Sequence, residues 1–574
     1  MITIEVNDKK LEAKQGETVL SALKRAGISV PTLCYLDGMT PTGACRMCVV
    51  EIDGFADLIP SCAFPVSDGM KIQTDSPRVL NARKTIVELL LANHPDDCLY
   101  CPRNMNCELQ NLSEIAGVTD RKFLAKKSEH SLDFSSPSII RDPEKCILCG
   151  RCVRVCEEVQ GVSAIDFIGR GSRAIVATAF NEGINVSNCI FCGQCINVCP
   201  TGALTEKSDI KNVLNAINDP KKTVVCQIAP SVSVTVGEEF GIKLGEDVAG
   251  VMTSALKQIG FDRVFETSFS ADLTIMEEAA ELVSRIVNKG TLPMFTSCSP
   301  GWVKFIEQYY PQLLGNVSSC KSPQQMLGSL IKNYFTKSEG IDPKDIYSVS
   351  IMPCTAKKFE AGRGEMGLDG VDDIDAVLTT RELVKLIKMK GLDLKSINPM
   401  LPDDPFGDRS SAGKIFGVTG GVMEAAIRTA YNMITGEDLK NLVIKEVRGL
   451  EGIKEATVKI GDLEVNVAVA HGLGNARKVM ESIISGEKNY HFVEIMTCPN
   501  GCIGGGGQPI GLDLDAVRAR MQALYRIDEK EAIRTSHDNP SIKRIYDEFL
   551  GKPNSEISHK LLHTHYHKRE DILV

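Results

Sequence analysis

Cysteine carries the chemistry in this chain: there are 21 among 574 residues, most at metal-ligand spacings. Two runs, Cys146-Cys149-Cys152-Cys156 and Cys189-Cys192-Cys195-Cys199 followed by Pro200, each read CxxCxxCxxxC. In two-cluster ferredoxins the fourth cysteine of each such run ligates the other cluster. The spacing therefore predicts one 4Fe-4S cubane on Cys146, Cys149, Cys152 and Cys199, and another on Cys189, Cys192, Cys195 and Cys156. Upstream, Cys34, Cys45, Cys48 and Cys62 keep the logic of a plant-type 2Fe-2S site, with a lone cysteine, a loop pair and a distant fourth ligand. Four thiolates could also hold zinc. His94, Cys98, Cys101 and Cys107 make a further four-ligand set, in which neutral imidazole replaces one charged thiolate. One-electron centres in a row serve to move electrons between a surface and a buried site. Near the far end, EIMTCPNGCIGGGGQP (Glu494 to Pro509) sets Cys498 and Cys502 before four glycines, backbone that would let a bulky group approach closely.

The elements that must position these ligands are legible in outline. Residues 1 to 78 read as a small β-rich domain, with a turn at Asn7-Asp8 and a helix near Thr18 to Ala26. A helix from Val79 to Ala92 leads to His94, and a polar linker from Lys127 to Ser138 precedes the ferredoxin-like pair. From Lys222 onward strands and helices alternate. Apolar runs at Thr223 to Ile228, Pro293 to Thr296, Ile346 to Met352 and Phe492 to Met496 read as buried parallel strands. Three of them end at Cys298, Cys354 and Cys498, and an open α/β fold gathers ligands at such strand tips. Cys226 reads as a buried core thiol.

On the segment TIMEEAAELVSRIV, Glu278, Glu281 and Arg285 recur at i, i+3 and i+7, opposite a face of Ile275, Met276, Ala279, Leu282, Val283 and Ile286. By itself this is a solvated charged face. The last residues hold His559, His563, His565 and His567, which read as a peripheral basic helix contacting its own body or a partner.

A composition 43% hydrophobic, with net charge -9 and pI near 5.7, suits a multi-domain protein and gives nucleic-acid binding no support. No apolar run reaches the roughly 18 residues that span a bilayer, and MITIEVND lacks a leader pattern, so no membrane partner and a cytoplasmic location are expected. In that compartment close CxxC pairs bind metal rather than form disulfides.

Three segments now stand together: TSCSPGW (Thr296 to Trp302), MPCTAKKFE (Met352 to Glu360) and EIMTCPNGCIGGGGQP. They resemble the three signatures of the FeFe-hydrogenases, TSCCPxW, MPCxxKxxE and ExMxCxxGCxxGGGxP. With the cluster-binding front end, the resemblance covers nearly the whole chain and looks like the long, many-cluster form of that family. It implies reversible conversion of protons and electrons to H2 at an H-cluster, a 4Fe-4S cubane joined through one cysteine to a di-iron unit with CO, cyanide and an amine dithiolate. One 2Fe-2S and three accessory 4Fe-4S clusters would feed it. By motif, Cys354, Cys498 and Cys502 would hold the cubane, with Cys502 the bridge. Lys357 would hydrogen-bond a cyanide, Met352 and Met496 would pack on the di-iron unit, and Ala229, Pro230, Ser231 and Gln324 would complete the pocket. Glu278, Ser318, Glu281 and Arg285 match the family's proton relay.

The chain departs from the family at Ser299. The family has two adjacent cysteines here, the first relaying protons and the second ligating the cubane. Cys298 could shift to ligate while Ser299 relays, Ser299 could ligate through oxygen, or Cys320 could supply the thiolate. Iron's preference for thiolate favours Cys298 or Cys320. The resemblance implies an α/β catalytic domain with two parallel-sheet lobes behind small α+β ferredoxin-like domains. The expected divisions are 1–78 (2Fe-2S), 79–126 (a 4Fe-4S domain with one histidine and three cysteine ligands), 138–208 (two cubanes), 209–530 (catalytic) and 531–574 (a tail on the catalytic domain or a partner). Expected partners are a ferredoxin or NAD(P)-linked flavoprotein subunit and maturation proteins for the di-iron unit. Other readings are an electron-transfer subunit of a larger dehydrogenase, since residues 1–208 resemble complex I and formate dehydrogenase subunits, and a sensory or non-catalytic relative.

Overall fold

The computed structural model describes residues 1–569 apart from 126, 128 and 512. Ser128 of the expected linker and residues 570–574 of the expected tail lie outside the described residues.

At the front, β1 (Ile2–Val6) and β2 (Lys9–Ala13) form a hairpin. Its turn residues Asn7 and Asp8 take φ of 48° and 64°, the left-handed pair that matches strand twist. With β3 (Val49–Ile52), β4 (Ile59–Pro60) and β5 (Lys71–Gln73) they make a sheet ordered β2-β1-β5-β3-β4. The helix Val19–Arg25 buries Val19, Leu20, Ala22 and Leu23, and the side chain of Thr18 caps it by accepting from the Ser21 amide. The helix Pro77–Asn93 starts at a Ser76 cap with proline in its first turn, where no amide hydrogen is needed. It delivers His94 at its C-terminus.

The next four strands are short: β6 (Ile139–Arg141), β7 (Asp166–Ile168), β8 (Ile175–Ala177) and β9 (Leu204–Glu206). They pair antiparallel as β6 with β9 and β7 with β8.

The C-terminal body is built on eight strands. They are β10 (Thr223–Ile228), β11 (Arg263–Glu266), β12 (Met294–Phe295), β13 (Ile346–Met352), β14 (Ala376–Thr379), β15 (Ile453–Ile460), β16 (Leu463–His471) and β17 (Phe492–Met496). One sheet, ordered β11-β10-β13-β14, is wholly parallel. The other, ordered β12-β17-β16-β15, is parallel except at its edge, where β15 runs antiparallel to β16. Only Gly461 and Asp462 separate those two strands, too short a link for the crossover that parallel strands require. The continuous apolar runs mark strands buried on both faces, whereas β15 alternates half-buried and exposed side chains.

The helix Thr267–Val287 follows β11 without a break and packs against the helices Pro323–Leu330 and Gly421–Thr435. Phe265, Phe269, Phe295, Trp302 and Phe305 are fully buried around the sheets, each stabilising the core by roughly 1.5–3 kcal/mol. The tail helix Glu556–Leu562 buries Leu561 and Leu562 in the same apolar cluster as Phe269, Met326 and Cys320.

Candidate active site

Where β12, β13 and β17 end, the chain turns into Cys298-Ser299, Cys354 and Cys498. These residues and Cys502 line one apolar cavity. Met352, Met496, Ala229, Pro230, Ser231, Gln324 and Lys357 line it too. Thr267, Ala271, Pro323, Phe416 and Gly417, which no motif marked, also line it; isolated residues of these kinds carry no sequence signal for a cavity. Burial pushes the thiols of Cys354, Cys498 and Cys502 up, and the neighbouring thiols add to the effect at Cys498 and Cys502. Three thiolates so placed require a cationic centre between them. The donor set and the dry cavity thus fit an iron-sulfur centre with a bulky attachment.

Lys357 is buried on the helix Ala356–Ala361, and its Nζ donates to the Cys298 carbonyl (3.1 Å) and to Glu360 Oε2 (2.8 Å). Gln324 Nε2 also donates to Glu360 Oε2 (3.0 Å), and Gln324 Oε1 accepts from Ser350 Oγ (2.7 Å). Both side chains are held at the cavity wall by these bonds.

The glycine run also packs tightly against backbone. Of its members only Gly505 reaches the cavity. A Cβ on Gly506 would lie 1.9 Å from the Cys192 carbonyl oxygen, and one on Gly507 would lie 2.9 Å from the Pro353 carbonyl carbon. That backbone comes from the ferredoxin-like segment on one side and the Cys354 loop on the other. Gln194 Nε2 and Asn197 Nδ2 donate to the carbonyls of Gly504 (3.0 Å) and Gly505 (3.1 Å), fastening the two parts together.

Of the residues considered for the fourth ligand, Cys298 and Ser299 line the cavity and Cys320 does not. Ser299 Oγ lies 2.7 Å from Thr497 Oγ1 and accepts from the Thr497 amide (3.2 Å), so it faces the residue preceding Cys498. Burial raises the Cys298 thiol, and Glu278 is the foremost charge acting on it. Cys320 is absent from the cavity wall; it sits in the core with Sγ 3.9 Å from Glu281 Oε2. Its backbone bridges to His563 of the tail and its amide donates to Ser318 Oγ (3.2 Å), which keeps it in this core position. Cys226 is fully buried in β10.

The charged series on Thr267–Val287, a solvated face by its pattern alone and a relay by the family resemblance, runs from buried Glu278 to half-buried Glu281 and Arg285. Glu278 is fully buried, and neither carboxylate oxygen has a hydrogen-bond partner. Burial, then the charge of Glu281, pushes its pKa up to about 8, while the nearby Ser297 amide and Ser318 hydroxyl counter part of this. Ser318 Oγ donates to Glu281 Oε2 (2.8 Å), and Arg285 Nη2 donates to Glu281 Oε1 (2.6 Å) at the half-buried end of the series.

The accessory sets also converge. All 21 cysteines are free. Cys34 faces Cys45 and Cys48 faces Cys62, within hydrogen-bond reach. His94, Cys98, Cys101 and Cys107 line one cavity, and His94 Nδ1 is buried without a partner. Burial lowers the His94 pKa, which keeps the imidazole in the neutral form that a ligand needs. Cys146, Cys149, Cys152 and Cys199 line another cavity. Cys195 feels the charges of Cys189 and Cys156, whereas the foremost charge at Cys192 is that of Cys498. The last accessory set therefore abuts the catalytic cavity.

A row of thiolate sets ending beside a dry, cysteine-lined cavity with a buried carboxylate behind it defines a multi-cluster iron-sulfur redox enzyme. Residues 222–506 match the model for the C-terminal domain of the iron-only hydrogenase large subunit, and residues 514–569 match the iron hydrogenase small subunit. Residues 1–77 match a 2Fe-2S iron-sulfur cluster binding domain, residues 83–122 the NADH-ubiquinone oxidoreductase-G iron-sulfur binding region, and residues 136–205 the ferredoxin-like domain of NADH-quinone oxidoreductase subunit 3. The NADP-reducing hydrogenase subunit HndD of Solidesulfovibrio fructosivorans is 46% identical over 99% of each chain, and iron hydrogenase 1 of Clostridium pasteurianum is 43% identical over 99% of this chain and 100% of that one. The solved structure of a variant of apo FeFe-hydrogenase HydA1 from Chlamydomonas reinhardtii is 42% identical with a TM-score of 0.57, covering 63% of this chain and 99% of that one. The chain belongs to the iron-only, or FeFe, hydrogenase family. It is an oxidoreductase that interconverts protons and electrons with H2, served by N-terminal iron-sulfur domains; the electron-transfer-subunit reading is not favoured. Its cofactors include 2Fe-2S and 4Fe-4S clusters and an H-cluster. Among the described residues, no helix is long and apolar enough to cross a membrane.

Proposed function

We propose that Cys354, Cys498 and Cys502 would hold the H-cluster cubane, Cys502 also holding its di-iron unit, and that the Ser299 side chain would stand at the fourth ligand position. The bound H-cluster supplies the site for proton reduction and H2 cleavage. Around it the chain's own residues orient, dry and deliver protons. Lys357 offers a cationic donor to an anionic cyanide while its bond to Glu360 holds it in place. Met352 and Met496 supply adaptable apolar walls. Cys298 exchanges a proton with Glu278, which passes it through Ser318 to Glu281 and on to solvent at Arg285. The observation that carries this route is the buried Glu278 carboxylate: with no partner to fix its charge, it can take up and release a proton near neutral pH.

The same reading assigns one 2Fe-2S cluster to Cys34, Cys45, Cys48 and Cys62. It gives three accessory 4Fe-4S clusters to the His94 set and the two crossed cysteine sets. The division of the chain at 78, 126, 138, 208 and 530 follows these groups. A nicotinamide-linked flavoprotein in the cytoplasm is the proposed electron partner, on the similarity of residues 83–205 to NADH dehydrogenase segments and on the relative named as NADP-reducing.

The ligand assignment is tested by electron paramagnetic resonance of the catalytic cubane. Ser299→Cys is expected to shift its signal, and Cys320→Ala to leave it unchanged. Loss of the cubane in Cys320→Ala would sink the assignment.

A further inference from the structure

The histidine-rich tail places one side chain where the proton route does not need it. His563, at the end of the helix Glu556–Leu562, is buried with Nδ1 2.8 Å from Ser319 Oγ and Nε2 3.1 Å from Glu277 Oε2. Glu277 is in turn fixed by the Tyr546 hydroxyl (2.6 Å) and the Asn554 amide (2.7 Å). Beside His563 the backbone pairs with Cys320, whose Sγ is 3.9 Å from Glu281 Oε2. One donor atom from each of Glu281, Cys320 and His563 lies within 4.8 Å of the other two.

We propose that Cys320, Glu281 and His563 form a binding site for Zn²⁺ or a cation of similar softness, separate from every iron-sulfur ligand set. Thiolate, imidazole and carboxylate are the three donors that zinc takes together, with a fourth position left for water or the Ser319 hydroxyl. Zinc bonds of about 2.0–2.3 Å place tetrahedral donors roughly 3.3–3.7 Å apart, so the trio needs to close by up to about 1.5 Å. Glu277 holds the far nitrogen of His563 as the carboxylate behind a zinc-bound histidine does, fixing tautomer and ring direction. Binding exchanges the Cys320 S–H for an S–Zn bond, releases that proton to solvent and breaks the Ser319–His563 hydrogen bond. No electron moves.

Ligation ties up the carboxylate that accepts from Ser318. On the proton route proposed above, which this consequence alone requires, zinc therefore blocks transfer between Glu278 and Arg285 and inhibits turnover. The competing trio, Asp438, His537 and Asp538, is more exposed and holds no thiol.

The test uses the full holoenzyme, stripped of loose metal by a chelator and titrated with Zn²⁺ alone. Zinc-edge X-ray absorption is expected to show a single sulfur and an imidazole. Turnover with zinc divided by turnover without it is expected to fall, and a chelator to restore it. Cys320→Ala and His563→Ala are expected to abolish the sulfur signal or the tight binding, and Glu277→Gln to weaken binding about 10–100-fold. His537→Ala is expected to change nothing. Zinc held without sulfur, zinc held by several sulfurs taken from a cluster, or Cys320→Ala inhibited like the parent would each overturn the site. A sulfur-bound zinc with unchanged turnover would keep the site and remove the proposed route through Glu281.

Discussion

Two buried carboxylates, Glu278 and Asp528, are each fully excluded from solvent and yet treated in opposite ways. Burial alone would raise Asp528, but Arg428 grips both its oxygens (2.9 Å each), Ser411 and Arg448 add bonds of 2.7 Å, and the result is a carboxyl held well below the usual range. Glu278 receives no such bond and rises to about 8. Asp528 lies on the helix Leu514–Lys530 and Arg428 on Gly421–Thr435, so the saturated knot joins the small-subunit-like segment to the catalytic body. A fixed charge makes a joint; an unpartnered one can carry a proton. Burial is common to both, and the supply of partners decides which role the residue takes.

The largest expected effect breaks the proton-carrying member of the pair. Glu278→Gln keeps shape and removes the titrating group, and turnover is expected to fall by about 10²–10⁴-fold with iron content and cubane spectrum unchanged. Normal turnover in that variant would remove Glu278 from the route. The pH dependence has a definite sign. Between 4.5 and about 8 the folded chain keeps a proton on Glu278 that the unfolded chain has released, so this group's contribution to stability declines as pH rises through that window. The decline is expected to be shallower in Glu278→Gln, measured as the unfolding midpoint from pH 5 to 8.

Next in size is the joint. Asp528→Asn leaves Arg428 and Arg448 facing Glu424 alone, and a broken buried pair costs about 3–5 kcal/mol. In a multi-domain chain this is read as a lowered midpoint of the thermal transition rather than as a single free energy. Turnover per intact H-cluster is expected to persist. The depressed pKa gives the opposite sign to Glu278: the Asp528 contribution is complete above the unfolded pKa of about 3.9 and is lost only as pH falls through the lower folded value. An unchanged midpoint in Asp528→Asn would dissolve the contrast.

The sequence made the ligands more legible than their surroundings. Apolar runs at 223–228, 346–352 and 492–496 coincide with β10, β13 and β17, because strands buried on both faces cannot hide their composition. Cysteine spacing picked out residues that the fold gathers: Cys146, Cys149, Cys152 and Cys199 line one cavity, and His94, Cys98, Cys101 and Cys107 another. What pattern could not supply was the environment set by distant chain. Glu278 on a helical face looks solvated until the Ser297 amide and the Ser318 side chain are seen beside it in the interior. The glycine run looks like room for a cofactor alone until Cys192 is seen against Gly506. Cys320 looks available to the catalytic cavity until it proves to sit off the cavity wall, beside Glu281 and His563.

Arg285 stands between the two extremes, and its variant should have the smallest effect. Its Nη2 and Nε both donate to Glu281 Oε1 (2.6 and 3.1 Å), while Nη1 donates to the carbonyls of Thr291, Gly315 and Asn316. It therefore partners a route carboxylate as Arg428 partners Asp528, but its pair is 14–16% exposed, so solvent reaches a contact that it does not reach at Asp528. Lysine keeps the positive charge and loses the planar fork, so it cannot hold the carboxylate and the three carbonyls at once. Arg285→Lys is expected to lower turnover by roughly threefold to tenfold, the equivalent of about 1 kcal/mol of lost positioning, with the pH limb near 8 retained because Glu278 is untouched. A loss as large as that of Glu278→Gln would make Arg285 an obligatory carrier rather than a support. An unchanged rate would place the exit for protons elsewhere along the Glu281 surface.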